Sequence, residues 1–501
     1  MGIIPAEVDV VVAGSGATGL AAAVTLAEGG ATVAVFEKQR SLGGTSNFFH
    51  GTFAVESEMQ RERYIDYSRD EAFRNIMEYS HWMANARLVR AIVDESAATI
   101  AWLQDQGVLF TGEMINMPRA PHTYHGVKGN GEAVVKALAV RAKSQGAQIL
   151  PGTPVVALGR QDGRISDVVV DDDGQEVEVA CKALVLATGG YANNKEWVKK
   201  YTGYDLGVNV FPVGNTGKTG DGIRMAWEAG AAEDGVKPLE LVRVAPLGAE
   251  FAMGNDLEVV AMQPDLWVTA RGERFCDESV ALHDTHSGNA NLRFCGDGFT
   301  FSLFDESILE HVLDVGVDRG LTLDLRPGYK PVNVRNEIQA ATRGGSKEVS
   351  VADSLEELAR MIEIDPATLR ATVDEYNFYC VKEHDELFAK HPKFLRPLVG
   401  PTYYAVRART AFLGTKGGIK INENMEVVDK KGGVIPGLYA GGLDAGGMYG
   451  DSYPIQVASG LSSAFALNSG RIAGRSALGY LGRPEVSLGT PAGPNRLTSF
   501  L

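Results

Sequence analysis

The sequence predicts an α/β fold, a parallel sheet with helices packed on it and a smaller α+β segment inserted into the chain. Three observations carry that expectation. A short apolar run, Val8 to Ala13, empties into Gly14, Gly16 and Gly19 and is followed by a small-residue stretch and a second apolar run. Two further apolar runs, in ALVLATGGYANN (Ala183 to Asn194) and GLYAGG (Gly437 to Gly442), also end in glycines although they lie far apart. The intervening residues 236–400 read differently, as helical patterns such as SLEELARMIEI and DPATLRATVDEYNFYCVKEH mixed with loops.

Val8 to Ala13 is nearly continuous in apolar residues, as a strand buried on both faces requires. In the G-x-G-x-x-G that follows, Gly14 allows a tight turn and Gly16 lets the backbone approach a pyrophosphate. Gly19 lets the helix pack close on the strand, with Ala17 and Thr18 in the same turn. Leu20 to Glu28 reads as a helix and Thr32 to Phe36 as a second strand ending at Glu37 and Lys38. An acid about 20 residues past the glycines is placed to accept hydrogen bonds from a ribose. The unit is therefore Rossmann-like and nucleotide-binding.

RSLGGTSNFFHGTFAV (Arg40 to Val55) comes next, with Gly43, Gly44, Thr45, Ser46 and Gly51 but no third strand–helix unit. The second strand ends in Ala187, Thr188 and Gly189, and the third in Gly441. Three strands that each end in a glycine turn suit one elongated ligand lying across a sheet, FAD rather than NAD. No second G-x-G-x-x-G has its own acid, so no separate nicotinamide domain is expected.

Ala86 to Gly107 spaces Leu88, Ile92, Val93, Ile100 and Leu103 as an amphipathic helix ended by glycine. HTYHGVKGNG (His122 to Gly131) reads as a glycine-rich loop before another helix. Val155 to Leu186 reads as an antiparallel excursion split by turns at Asp162-Gly163 and Asp173-Gly174. Ser354 and Asp365-Pro366 are helix starts. The tail from Gly489 reads as loose. These elements place a first domain at 1–235, an inserted domain at 236–400 and the rest of the first domain at 401–501.

The chain has 501 residues, 45% apolar and 22% charged, with a formal net charge of −15 and no basic run. That balance excludes nucleic acid and anionic membrane as expected partners. Cys181, Cys276, Cys295 and Cys380 form no C-x-x-C pair. No zinc ribbon, haem attachment or dithiol centre is expected, and no metal. Four scattered cysteines suit a reducing compartment. No apolar run reaches roughly 18 residues, and the start, MGIIPAE, lacks a basic region, so the expectation is a cytoplasmic protein.

With these motifs in order, the sequence resembles the superfamily of FAD-dependent fumarate reductases and 3-ketosteroid dehydrogenases. The resemblance runs nearly end to end, through GGTS, LATGGYANN, GNTGKTGDGIRMAWEAGA (Gly214 to Ala231), RGERFCDE (Arg271 to Glu278) and GTKGGIKINENMEVVD (Gly414 to Asp429), then IPGLYAGG. It implies an FAD domain, an inserted cap or substrate domain, and hydride transfer between flavin N5 and a carbon–carbon bond next to a carbonyl. It further implies Asp221, Gln456 and Val457 as cofactor-binding positions. Similar proteins carry a glutamate after the Gly-Leu-Tyr-Ala-x-Gly turn; here Leu443 and Asp444 stand there, with Asp444 as the substitute.

The substrate end departs from the fumarate reductases. Their Glu-x-x-Arg is EVVA here (Glu258 to Ala261), their histidine before Met-Gly-Gly falls in LGTKGG (Leu413 to Gly418), and their arginine in the last glycine-rich loop is Tyr453. Carboxylate clamping favours guanidinium, so a dicarboxylate is disfavoured. The steroid dehydrogenases resemble this chain in placing a tyrosine ahead of the last helix. The resemblance implies that Tyr453 polarises a ketone, and DESVALHDTHSG (Asp277 to Gly288) offers His283 or His286 as the proton donor. Tyr449, Glu258 and Lys416 are candidate substrate contacts. Lys416 is equally a cation tuning the flavin, and Arg274 and Phe275 read as punctuation of a strand and turn. The last helix opens at Ser459-Gly460, with its positive end toward the flavin.

The reading is an FAD enzyme reducing or dehydrogenating a neutral cyclic carbonyl substrate, 3-ketosteroid-like, with an external electron donor or acceptor and no haem. Its alternatives are a reductase of an unsaturated carboxylate held by Arg407 or Arg409, and a flavoprotein electron carrier.

Overall fold

The computed structural model describes residues 3–116, 119–214, 217–246, 254–320 and 327–483. The tail read as loose lies outside them. The chain divides into two compact units. The first gathers Met1–Thr202, Gly214–Leu239 and Gly414–Leu501, and the second gathers Gly203–Val213 and Glu240–Leu413.

The first unit is built on an eight-stranded sheet. Strand β1 (Glu7–Ala13) leads into helix α1 (Ala17–Glu28) and strand β2 (Val33–Glu37). Strand β3 (Gln148–Pro151) flanks β2, strand β4 (Gln175–Leu186) flanks β1, and strand β5 (Val434–Ala440) flanks β4. All four pairings are parallel, with Val12 opposite both Val35 and Val185 and with Ala440 opposite Leu186. Val10, Val11 and Val12 have no exposed surface, which explains the unbroken apolar run. Helix α1 starts three residues before the expected Leu20, because Gly16 itself precedes its first turn.

Two hairpins extend this sheet. Val155–Gln161, Arg164–Asp172 and β4 pair antiparallel. Their turns place Asp162 and Gly163, then Asp173 and Gly174, at positive φ, as the Asp-Gly signals predict.

HTYHGVKGNG corrects the loop reading. Tyr124–Val127 is a buried strand, paired with Gly51–Phe53 on one side and Phe110–Met114 on the other. Its glycine count masked partners that are remote in sequence.

The last helix, α2 (Leu461–Tyr480), packs against α1 through small residues. A Cβ at Gly470 would lie 2.1 Å from Thr18 O, and one at Gly474 would lie 2.9 Å from Thr25 Cβ.

In the second unit the strand Tyr403–Thr415 is the centre of a six-stranded sheet. It pairs with Val210–Pro212, Phe299–Asp305, Leu239–Ala245 and Val349–Ala352. That strand carries the chain past residue 401 before it re-enters the first unit at Gly414. The unit has its own core, including Leu257, Leu303, Leu309, Leu358, Leu369 and Val406. Ser354 and Asp365 cap its helices by accepting the N–H of Glu357 (3.2 Å) and Thr368 (2.9 Å).

Candidate active site

The glycine turns of the first unit lie together at the C-terminal ends of β1, β4 and β5, the edge where open α/β sheets bind ligands. Gly14 has φ +107, and a Cβ there would lie 2.3 Å from Ala187 O. At Gly19 a Cβ would meet Gly14 O at 1.9 Å. The first two strand ends are therefore pressed together in a way only glycine allows. A Cβ on Gly441 would meet Ser469 Oγ at 2.6 Å and Thr18 Cγ2 at 2.9 Å, which brings the third strand end to the same place.

Around this edge, Ser46 Oγ accepts the Ala17 N–H (2.9 Å), and Gly43 N donates to Ser15 Oγ (3.1 Å). Gly43 and Gly44 both have positive φ, and Gly44, Thr45 and Ser46 form a short helical turn. Half-buried Glu37 accepts from Ser15 N (2.9 Å), Ser15 Oγ (2.6 Å) and Gln39 N (2.8 Å). Lys38 Nζ reaches Asp221 (3.0 Å), Thr219 Oγ1 (3.0 Å) and Gly217 O (3.2 Å). Gly51 O accepts Ser463 Oγ–H (2.8 Å), tying that stretch to α2.

Asp444 has no exposed surface. Its carboxylate accepts Thr188 N (2.5 Å), Thr188 Oγ1 (2.9 Å) and Gly190 N (2.8 Å), so it braces the second glycine turn from the third. Burial pushes its carboxyl above the usual range, and the Gly190 and Thr188 N–H groups pull it back. Gly189, at φ +94, lies in the braced turn.

The N-terminus of α2 gathers a second group. The strand Tyr403–Thr415 ends one residue before Lys416, whose N–H donates to Pro238 O (2.9 Å) and whose side chain is 1% exposed. Its ammonium lies 4.9 Å from the ring centroids of both Tyr449 and Tyr453 and bonds Ser462 Oγ. The Tyr453 oxygen accepts the Ser462 N–H (3.2 Å), a donor of the first turn of α2. The two tyrosine rings lie 5.7 Å apart, and Tyr449 packs edge-on against Phe465. Gln456 and Val457 are half-buried in the turn between this cluster and α2. The arrangement concentrates positive potential, from an ammonium and a helix end, beside two phenols.

The comparisons with known proteins now have a geometry to rest on. The family model described as an FAD binding domain matches residues 9–456. A vinyl phenol reductase of Lactiplantibacillus plantarum is 35% identical over 489 residues, covering 95% of this chain and 98% of that protein. The chain belongs to the FAD binding domain family. A fumarate reductase (cytochrome) of Shewanella frigidimarina is 28% identical over 94% of this chain and 77% of its own length. A solved 3-ketosteroid Δ1-dehydrogenase of Sterolibacterium denitrificans shares the fold, with a TM-score of 0.76, 19% identity, and coverage of 95% of this chain and all of that one.

Family membership makes this an FAD-dependent oxidoreductase acting on carbon–carbon double bonds. The cradle suits that cofactor. Three glycine turns with no room for a Cβ bring bare backbone to one sheet edge beside a half-buried carboxylate acceptor, the close approach an elongated dinucleotide needs.

The second unit holds the other candidates. His283 precedes the helix Asp284–Phe294 and His286 lies in its first turn, with their rings 5.1 Å apart. Burial holds the His286 imidazole below its ordinary value. Glu258, a candidate substrate contact, lies in the second unit. It is buried in the helix Asp256–Ala261, paired with Arg243, and accepts Gly254 N (2.6 Å). Arg409 is paired with Glu348, while Arg407 lies 4.5 Å over the Phe299 ring.

Arg274, read as punctuation, is a buried hub bonding Glu278 (2.8 Å) and Asp385 (2.9 Å), with Lys390 3.2 Å from Glu278.

Sequence reasoning missed Ser462 and Arg319. Ser462 shows only as a small hydroxyl in the first turn of an apolar helix. Arg319 bonds Ala281 O and Asp284 on either side of His283, and its neighbours in sequence carry no sign of that.

Proposed function

We propose that the chain reduces the alkene of a neutral, oxygen-bearing conjugated substrate, with a vinyl phenol as the leading member. One observation carries the reading: Lys416, Tyr449, Tyr453 and Ser462 form a phenol-lined, electropositive cluster at the start of α2. The 35% identity to a vinyl phenol reductase across nearly both full lengths supports it.

Gly14, Gly16, Ala17, Thr18 and Gly19 would hold the pyrophosphate, and Glu37 the ribose. Gly43, Gly44, Thr45, Ser46, Gly51, Ala187, Thr188, Gly189, Gly441, Gln456 and Val457 would line the rest, with Lys38, Asp221 and Asp444 bracing the turns. When bound, FAD supplies or accepts the hydride. Tyr453 then donates its O–H to the substrate oxygen, a neutral donor suited to a neutral substrate where a lone guanidinium would be costly. Lys416 stabilises negative charge developing on that oxygen, and Tyr449 holds the ammonium from its other side. His283 or His286, in the second unit, is the candidate proton donor. The electrons come from an external donor.

An anaerobic experiment tests this. The reduced holoenzyme is mixed in turn with 4-vinylphenol, fumarate and a cyclic 4-en-3-one, and flavin absorbance is followed. Reoxidation by 4-vinylphenol at least tenfold faster than by fumarate is the expected result. A faster 4-en-3-one would move the substrate to the ketosteroid-like class. Fumarate equal to the best of the others would mean that a carboxylate clamp exists after all.

A further inference from the structure

A vinyl phenol poses a chemical problem that an enone does not. Its para oxygen feeds electron density into the alkene, so neither alkene carbon attracts hydride. An acceptor forms only if the terminal carbon gains a proton while the phenol oxygen loses one. The product is a para-quinone methide, in which the benzylic carbon is conjugated to a carbonyl.

We infer that the cluster at the start of α2 drives this proton-first tautomerisation. The consequence is a further activity: the oxidised holoenzyme exchanges the terminal vinyl hydrogens of 4-vinylphenol with solvent. The inference rests on the vinyl phenol reading above.

The balance is simple. The O–H bond of the substrate breaks and its proton passes to solvent water, giving an oxygen anion. The oxygen's electron pair becomes the new carbonyl π bond, and the vinyl π pair forms the new C–H bond at the terminal carbon with a proton from solvent water. No electron leaves the substrate, so no oxidant or reductant is needed and the step is reversible. Hydride arriving at the benzylic carbon returns the pair to oxygen, restores the aromatic ring, and completes an ethyl phenol once oxygen is reprotonated.

The cluster is equipped for the oxygen end of this step. The Lys416 ammonium is buried against two tyrosine faces and Ser462, where its charge is screened less than at a surface. Tyr453 accepts the Ser462 N–H, and a hydroxyl that accepts from a helix N–H donates through its own hydrogen. The first-turn N–H of α2 thus polarises the Tyr453 O–H, and the Lys416 ammonium beside it favours negative charge on an oxygen bound there. Meta substitution breaks the conjugation, and methylation removes the proton that must leave.

The test incubates oxidised holoenzyme with 4-vinylphenol in D2O, without reductant, and follows the terminal vinyl protons by NMR. The expected result is washout of those protons by holoenzyme, with 3-vinylphenol and 4-methoxystyrene unchanged. Lys416→Met and Tyr453→Phe are expected to slow washout by about a hundredfold while keeping a bound-flavin spectrum. Lys416→Arg, which keeps the charge, serves if the Met variant does not fold and is expected to retain most of the exchange. If reduced enzyme is reoxidised by 4-vinylphenol but oxidised enzyme washes out nothing, the tautomerisation is overturned and the substrate reading stands. Exchange of 3-vinylphenol at a comparable rate overturns it likewise. If 4-vinylphenol does not reoxidise the reduced enzyme at all, the substrate reading fails and takes the inference with it.

Discussion

Asp444 carries a carboxylate with no exposed surface, and its oxygens are taken by Thr188 and Gly190. Replacing it by Asn sets an NH2 group against one of those N–H donors. A lost charge-assisted bond of this kind costs about 2 to 3 kcal/mol. Asp444→Asn is therefore expected to lower the melting temperature by several degrees and to weaken FAD retention on gel filtration. Unchanged retention would mean that the brace supports the fold without serving the cofactor. At this scale the sequence was legible where a residue type announces its chemistry. Tyr453, Tyr449 and Lys416 stand out as polar groups beside a glycine-rich turn, and all three meet in the structure. Asp444 was legible in position but not in direction, since nothing local says whether a carboxylate faces a ligand or a neighbouring turn. Ser462 was not legible, because its importance comes from two partners brought by other segments.

At the scale of elements, the glycine turns were read correctly because each follows a buried strand, and strand, turn and helix impose spacing on one another. The segment that carries the histidines shows the opposite. The short helical turn Glu278–Leu282 is held at its start by Arg274 bonding Glu278, and Arg319 bonds the carbonyl of Ala281. Arg319 also bonds Asp284, the first residue of the next helix, so it grips both sides of His283. Gln263 in turn fixes the Arg319 backbone, its Oε1 accepting the N–H at 3.0 Å and its Nε2 donating to the carbonyl at 3.1 Å. Every partner lies remote in sequence from Arg319, and that remoteness kept it invisible. If His283 is the proton donor proposed above, Arg319 is its positioning residue. Arg319→Gln is expected to lower kcat for alkene reduction by about tenfold or more with KM within a fewfold, and Arg319→Lys to recover part of the loss. A rise in KM with kcat intact would point instead to substrate binding, and loss of bound flavin to simple misfolding.

The whole molecule is two units, each with its own sheet and core, and every candidate FAD residue falls in the first. This division was partly legible, because the glycine-ended strands sit at both ends of the chain while the middle changes pattern. The join was not, because one unbroken strand, Tyr403–Thr415, runs straight through Gly414, where its allegiance changes. The consequence is thermodynamic. A ligand that binds only the native form stabilises it by about 2.7 kcal/mol at a hundredfold excess over Kd, and here that stabilisation acts on the first unit. Calorimetry of apoprotein and holoprotein should resolve this. FAD is expected to raise the transition of the first unit, which is assembled from three separate stretches of chain, and to leave the transition of the second where it was. Equal shifts of both transitions, or their merger into one, would show that the inserted unit unfolds only when the cofactor-holding unit does. The second unit, which gathers Gly203–Val213 and Glu240–Leu413, would then depend on its host for more than attachment.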